Sequence, residues 1–357
     1  MPSPPVLVSS VASPAIVDAG SSPVSLAPPR IVAIGGGTGL PVVLRGLADA
    51  LEGTAADSSS TPAAEALAAI VTVTDDGGSS GRLRRDLGML PPGDIRNCLA
   101  ALSGDASFER LLAHRFAAPD GLDGHALGNL MLAALAQMTG NFAEAVDEMA
   151  RLLKARGCVY PSTLEDVTLR AELATGEVIE GETAIVEHPA PIRRLGLGRH
   201  VRPYPDALRA LINADAIVIG PGSLYTSVLP NLLVDGVTST LSAVLAVRIY
   251  VANLMTQPGE TDSLSLDDHL RVLREHTGRD LFDYVLLNRT SPTPAQLARY
   301  RSEGAEFIPC VRYAPAAGGA ARLVDEDLLD THGSQVRHDS GKLAAAILQL
   351  ARRGRPA

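Results

Sequence analysis

The chain has 357 residues, with 31 Lys and Arg against 40 Asp and Glu, a formal net charge of −9. That balance, with no tryptophan and 3% aromatics, excludes a general nucleic-acid binder and leaves few aromatic platforms for single-stranded bases. An apolar content of 46% is ample core, yet no run of membrane-spanning length lacks glycine, proline or charge.

Residues 1–29 are rich in Pro, Ser, Ala and Val, with one acid (Asp18) and no Lys or Arg. They read as a disordered leader, because a secretory signal wants a basic start and an unbroken apolar core. From Arg30 onward the order is that of a parallel α/β protein. Ile31-Val32-Ala33-Ile34 is a short buried strand, Gly35-Gly36-Gly37-Thr38-Gly39 a glycine turn, and Pro41 to Leu51 has helical spacing. A helix start behind a glycine turn offers N–H groups and a positive dipole end to a phosphate. Close strand–helix packing would explain the same glycines. The dinucleotide fingerprint fails, since its sixth position is Leu40, and no Gly-Lys-Ser/Thr of a P-loop follows.

A polar loop over Gly53 to Pro62 leads to a second strand, Ile70 to Thr74, which ends in Asp75-Asp76-Gly77-Gly78-Ser79-Ser80-Gly81-Arg82. Paired carboxylates at a strand's C-terminal end suit a ribose hydroxyl or a Mg²⁺ ion shared with phosphates; capping and turn chemistry is the bland alternative. Arg82 is the best placed charge of this anion-compatible loop. In Pro91-Pro92-Gly93-Asp94-Ile95-Arg96-Asn97, Asp94 reads as a helix N-cap. Arg96 in the first turn opposes the helix dipole and is a ligand candidate. Residues 107–156 read as a helical layer containing Gly124-His125-Ala126-Leu127-Gly128-Asn129, where His125 and Asn129 share a face if a helix opens there. His125 suits an anion or acid–base work, Gly128 close packing.

Thr168 to Leu173, the Thr175-Gly176 turn and Val178 onward resemble antiparallel strands of a small β insertion. The opening logic then repeats: Ala214 to Gly220 reads as a buried strand, followed by Pro221-Gly222-Ser223-Leu224-Tyr225-Thr226. Ser223, Thr226 and backbone N–H groups suit a second phosphate or a sugar, and the Gly-x-Ser-x-Gly nucleophile elbow is incomplete. The strand Arg248 to Ala252 ends at Asn253-Leu254-Met255-Thr256-Gln257, whose amides suit a base edge or a sugar, with capping of the loop as the alternative. Tyr284 to Asn288 is a further strand, and Arg337 precedes a terminal helix capped by Asp339 or Ser340. Cys98, Cys158 and Cys310 form no metal-spaced pair and fit a reducing, cytoplasmic setting. The fold class is thus α/β, Rossmann-like, a mainly parallel sheet over 30–357 as a single domain with a helical-plus-β insertion at about 104–200.

GGGTGL at Gly35, TDDGGSSGRLR at Thr74, LPPGDIRNCL at Leu90, GHALGNL at Gly124, GPGSLYTSVLPNLLV at Gly220 and YVANLMTQPGET at Tyr250 together resemble the gluconeogenesis factor family (YvcK-type). Its superfamily includes 2-phospho-L-lactate transferases of deazaflavin cofactor synthesis. The resemblance implies a cytoplasmic protein needed for growth on gluconeogenic carbon sources and for cell shape, binding a UDP-sugar such as UDP-N-acetylglucosamine. Carried onto this chain, Gly36, Gly37 and Thr38 would touch the diphosphate and Gly222 and Ser223 would approach from another strand end. Asn253, Met255, Thr256 and Arg337 would contact nucleotide or sugar. Asp75, Asp76, Arg82, Arg96, His125 and Asn129 complete the candidate set, with Asp75 and Asp76 on any Mg²⁺. Expected partners are the sugar nucleotide, a protein of envelope synthesis and, in a homo-oligomer, further copies of the chain. A regulator without a catalytic nucleophile is the first reading, and a Mg²⁺-dependent transferase of the phospholactate class the second. A nicotinamide oxidoreductase is disfavoured at Leu40.

Overall fold

The computed structural model describes residues 28–55, 66–117, 121–309 and 321–356. Residues 1–27 of the expected leader, most of the expected loop at 53–62 and Cys310 lie outside the described residues.

Among the described residues ten strands form two sheets. In chain order they are β1 (Ile31–Gly35), β2 (Leu67–Val71), β3 (Cys158–Pro161), β4 (Arg170–Leu173), β5 (Val178–Glu180), β6 (Ile192–Gly196), β7 (Ala216–Ile219), β8 (Val247–Val251), β9 (Tyr284–Asn288) and β10 (Arg322–Glu326). The large sheet has the order β10-β9-β8-β7-β1-β2-β3 and every pairing in it is parallel. Residues of β1, β7, β8 and β9 are all buried, as strands covered on both faces must be. Alternate side chains serve two cores. Ile31 and Ala33 meet Leu44, Leu47, Leu99 and Ile347, whereas Val32 and Ile34 meet Leu211, Leu224 and Leu229 on the other face. The Rossmann-like α/β reading is borne out.

The chain starts in the middle of the sheet, runs outward through β2 and β3, and returns on the other side of β1 at β7. Neighbouring strands β1 and β7 therefore send their connections in opposite directions, which opens a crevice at their C-terminal ends. Behind it the first helix, Gly39–Ala55, packs on the terminal helix, Ser340–Arg353. A Cβ added at Gly46 would lie 2.0 Å from the Ser340 carbonyl oxygen, so glycine sets that approach. Asp339 caps the terminal helix, its carboxylate accepting from Lys342 N.

Two elements differ from expectation. The second strand runs over Leu67–Val71, not to Thr74, because β1 peels away into its glycine turn opposite Val71. Cys158–Pro161 joins the large sheet beside β2, since four alternately buried residues at an edge carry no periodicity that separates them from the hairpin beyond. That hairpin is antiparallel as expected, β4 with β5 across Thr175-Gly176, and β6 adds on its other side. Among the described residues no helix is long and apolar enough to cross a membrane.

Candidate functional site

At the β1/β7 crevice lies a cleft of about 350 Å³. The turn after β1 supplies Gly37 and Thr38, the turn after β7 Gly222 and Ser223, and the segment after β8 Asn253, Met255 and Thr256. A Cβ at Gly39 would come within 2.3 Å of the Pro221 carbonyl oxygen, so the two turns touch only because that residue is glycine. Gly37 has φ +62°, the left-handed region. The Gly220–Pro221 peptide is cis. The helix beyond opens with a π turn, Leu224–Val228, and continues over Leu229–Leu232. From it Asn231 Nδ2 donates to Gly35 O at 2.9 Å and Ser227 O at 2.7 Å, a tie between the two glycine turns that has no local signature.

Several expected contacts hold the wall of the cleft. Asn253 clasps the Gly222 peptide, accepting from its N–H at 3.0 Å and donating to its carbonyl at 2.8 Å. Thr256 pairs through its N–H and hydroxyl with Glu306, and Gln257 donates to Ser223 Oγ. The segment carrying Arg337 folds over the cleft, fixed by Val336 N to Tyr300 Oη at 3.1 Å and Asp330 N to Arg337 O at 2.9 Å. Side chains of Thr38 and Arg337 line the cleft with no hydrogen-bond partner among the described residues. The sequence points to Gln257 but not to His338: among the described residues His338 Nε2 and Gln257 Oε1 are enclosed without a partner in residues that line the cleft. Burial pushes His338 down to about 4, so its imidazole is neutral at pH 7.

Three partly buried carboxyls sit under the turns. Asp94 Oδ2 accepts from Gly37 N at 2.7 Å, so Asp94 is no N-cap: its helix, Gly93–Ser103, starts one residue earlier and the side chain reaches the glycine turn instead. Loss of solvation pushes Asp94 up to about 6. Glu182 accepts from Thr74 Oγ1 at 3.1 Å and is pushed up to about 9 by loss of solvation and then by Asp75 and Asp94. Glu260 accepts from Thr226 Oγ1 at 3.1 and 3.2 Å and is pushed up to about 7, again by desolvation. Protons on Asp94 and Glu260 are therefore exchangeable near neutral pH.

Asp75 and Asp76 turn to different partners. Asp75 Oδ1 accepts from Gly77 N at 2.9 Å, the Asx turn of its own loop. Asp76 accepts from Glu182 N, Thr183 N and Thr183 Oγ1 at 2.7–2.9 Å, and so ties the loop after β2 to the helix Glu182–Glu187. With three donors on it, Asp76 is a poor partner for a cation, and among the described residues no group of three His, Cys, Asp or Glu could hold a metal ion. Gly36 is buried, and a Cβ there would lie 2.5 Å from Asp94 Oδ2 and 2.9 Å from Thr72 Cγ2. Its role is to let the turn pack.

Arg82, Arg96, His125 and Asn129 do not line the cleft. They gather at the first turn of the helix Gly78–Leu87, where Ser79 Oγ lies 3.0 Å from His125 Nδ1 and accepts from Asn129 Nδ2 at 3.1 Å. Arg82 donates to the Asp123 carbonyl and Arg96 to Asn97 Oδ1 at 2.7 Å. The Arg96 stem packs on Gly128, where a Cβ would fall 2.7 Å from Arg96 Cγ. Burial, then the Arg82 charge, lowers the His125 pKa.

Residues 31–319 match the family described as 2-phospho-L-lactate transferase CofD. The gluconeogenesis factor of Bacillus subtilis is 41% identical over 326 residues, 90% of this chain and 98% of that protein. The gluconeogenesis factor of Halalkalibacterium halodurans is 40% identical over 322 residues, 90% of this chain and 96% of that protein. A crystal structure of a UPF0052-family protein from Bacillus halodurans is similar with a TM-score of 0.81 and 39% identity, covering 89% of this chain and 99% of that one. The chain belongs to the gluconeogenesis factor family, within the superfamily of the 2-phospho-L-lactate transferase CofD.

Proposed function

We propose that the cleft binds a UDP-sugar such as UDP-N-acetylglucosamine, and that the protein is a cytoplasmic regulator tying that sugar nucleotide to growth on gluconeogenic carbon sources and to cell shape. A protein partner in envelope synthesis would receive the signal. The observation that carries the reading is that Gly37, Thr38, Gly222, Ser223, Asn253, Met255, Thr256 and Arg337, from four separate segments, all line one cleft. Its chemistry is divided as such a ligand is divided. The start of the first helix, Thr38 and Arg337 suit the diphosphate. Neutral His338 and Gln257 suit the uncharged base or sugar, where an unpaired buried polar atom gains most from a partner. Of the two acids that would hold a Mg²⁺ ion, Asp75 carries one backbone donor and Asp76 three donors, so Asp75 would be the freer ligand.

Calorimetric titration with UDP-N-acetylglucosamine tests this: saturable binding is expected, weakened about tenfold or more in Arg337→Ala. No binding to the unaltered protein would remove the reading. The family match favours one other function, a transferase of the 2-phospho-L-lactate class, for which Asp94 and Glu260 would carry protons. Incubation with a lactyl-diphospho-nucleotide and a deazaflavin acceptor separates the two, since product at useful turnover supports the transferase.

A further inference from the structure

The cluster beside the cleft holds three arginines whose side chains have no direct carboxylate partner among the described residues. Arg82, Arg96 and Arg115 converge on residues 123–128: Arg82 donates to Asp123 O, Arg115 Nη1 to Gly124 O at 2.8 Å, and Arg96 packs against Gly128. Among the described residues none of the three forms an ion pair with a carboxylate; their hydrogen bonds go to carbonyls and to Asn97. Asp86 acts on His125, and Asp94 and Asp75 on Arg96, at longer range. Arg96 is 8% exposed. A guanidinium at that depth with no carboxylate in direct contact gains from an anion that joins it.

Two further observations point to a ligand. The helix Gly78–Leu87 starts at Gly77 with no side-chain cap and no acid in its first turn, leaving its N-terminal N–H groups to an incoming acceptor. Asn129 is 2% exposed, and among the described residues its Oδ1 has no partner although Nδ2 of the same amide donates to Ser79 in that first turn. Ser79 Oγ accepts from Asn129 Nδ2 and lies 3.0 Å from His125 Nδ1, the roles in that second contact being set by the imidazole tautomer. The centre therefore offers many donors to an anion, and one enclosed acceptor that calls for a donor in return.

We propose that Arg82, Arg96, Arg115 and the first turn of the helix Gly78–Leu87 form a second anion site, separate from the cleft, for an oxyanion that carries its own O–H. Hydrogen phosphate or a singly protonated phosphate monoester meets both demands. Sulfate supplies the charge but no donor for Asn129 Oδ1.

The test is a calorimetric titration of inorganic phosphate into the full chain, repeated with sulfate and with UDP-N-acetylglucosamine at saturation. Arg82→Gln and Arg115→Gln are the variants, chosen because both side chains are less buried than Arg96, with thermal melts to confirm folding. Saturable phosphate binding is expected, weakened about tenfold in either variant. It should be unchanged in Arg337→Gln and by the sugar nucleotide, and stronger than sulfate binding. Unaltered phosphate affinity in both variants would overturn the site, as would loss of phosphate binding in Arg337→Gln or on adding the sugar nucleotide. Sulfate binding as tightly as phosphate would overturn the requirement for an O–H. A chain that binds phosphate here but no UDP-sugar would refute the reading of the cleft and leave this one standing.

Discussion

The two ends of the large sheet treat buried charge differently. At the N-terminal ends of β8 and β9, Arg248 and Asp283 are 8% and 7% exposed and fully matched. Arg248 N, Nε and Nη2 all donate to the Asp283 carboxylate at 2.8–3.0 Å, and Arg355 adds a contact at 3.1 Å. Burial alone would raise the Asp283 pKa, but Arg248 outweighs it and the net shift is downward. At the C-terminal ends, Asp94, Glu182 and Glu260 are enclosed with hydroxyl and N–H partners but, among the described residues, no paired cation, and all three are pushed upward. Charge is completed where the sheet only needs holding together and left incomplete where the cleft opens. Incomplete pairing destabilises a fold, so it is tolerated where a ligand can complete it.

The largest expected effect breaks the matched end. Arg248→Ala strands the Asp283 carboxylate and should lower unfolding free energy by about 3–5 kcal/mol in urea denaturation. A loss below about 1 kcal/mol would mean that Arg355 or water replaces the pair. The unmatched end should respond in the opposite sense. Glu182→Gln removes a carboxyl that the folded state holds protonated, and should gain about 2 kcal/mol at pH 8. The folded pKa of Glu182 lies above its unfolded value. Its contribution is therefore fully present below about 4.5 and is lost as pH rises toward about 9. Asp94 and Glu260 have the same sign, ending near 6 and 7. Asp283 has the opposite sign: its contribution is present above its ordinary value of 3.8 and is lost as pH falls. Melting temperatures from pH 4 to 9 should decline toward the alkaline side in the unaltered chain and flatten in Glu182→Gln; an unchanged slope would remove Glu182 from the account.

The smallest effect sharpens the comparison at the cleft. Thr38→Val should weaken UDP-N-acetylglucosamine binding by about 1–2 kcal/mol with stability unchanged, since Thr38 is exposed and its hydroxyl bonds nothing else among the described residues. Unaltered affinity would place Thr38 outside the ligand's reach.

The contrast also explains what was legible in the sequence. Short buried apolar runs announce themselves locally, as β9 does, and β1 and β7 add glycine turns behind them, so these strands and the walls of the cleft could be read directly. The carboxyls beneath could not. Asp94 looks like a cap because Pro-Pro-Gly precedes it, while its partner Gly37 is 57 positions away. Glu182 meets Thr74 across 108 positions and has no motif of its own, and Glu260 lies in the Gln257-Pro258-Gly259-Glu260 stretch where the amides drew attention first. Asp76 looked like a ligand because it adjoins Asp75, and its tie to Glu182 and Thr183 exists only in three dimensions. Likewise, one candidate set became two clusters because spacing along a chain does not report which strand end a loop returns to. Arg115 escaped notice because a lone arginine after a helix reads as a solvated charge.

The most direct test of the central claim is a phosphorus NMR titration of UDP-N-acetylglucosamine with the protein and Mg²⁺, followed overnight. Shifted or broadened diphosphate lines with no new species are the predicted result. Lines unmoved by excess protein would contradict sugar-nucleotide binding, and new phosphorus resonances that depend on the protein would contradict the regulatory reading in favour of an enzyme.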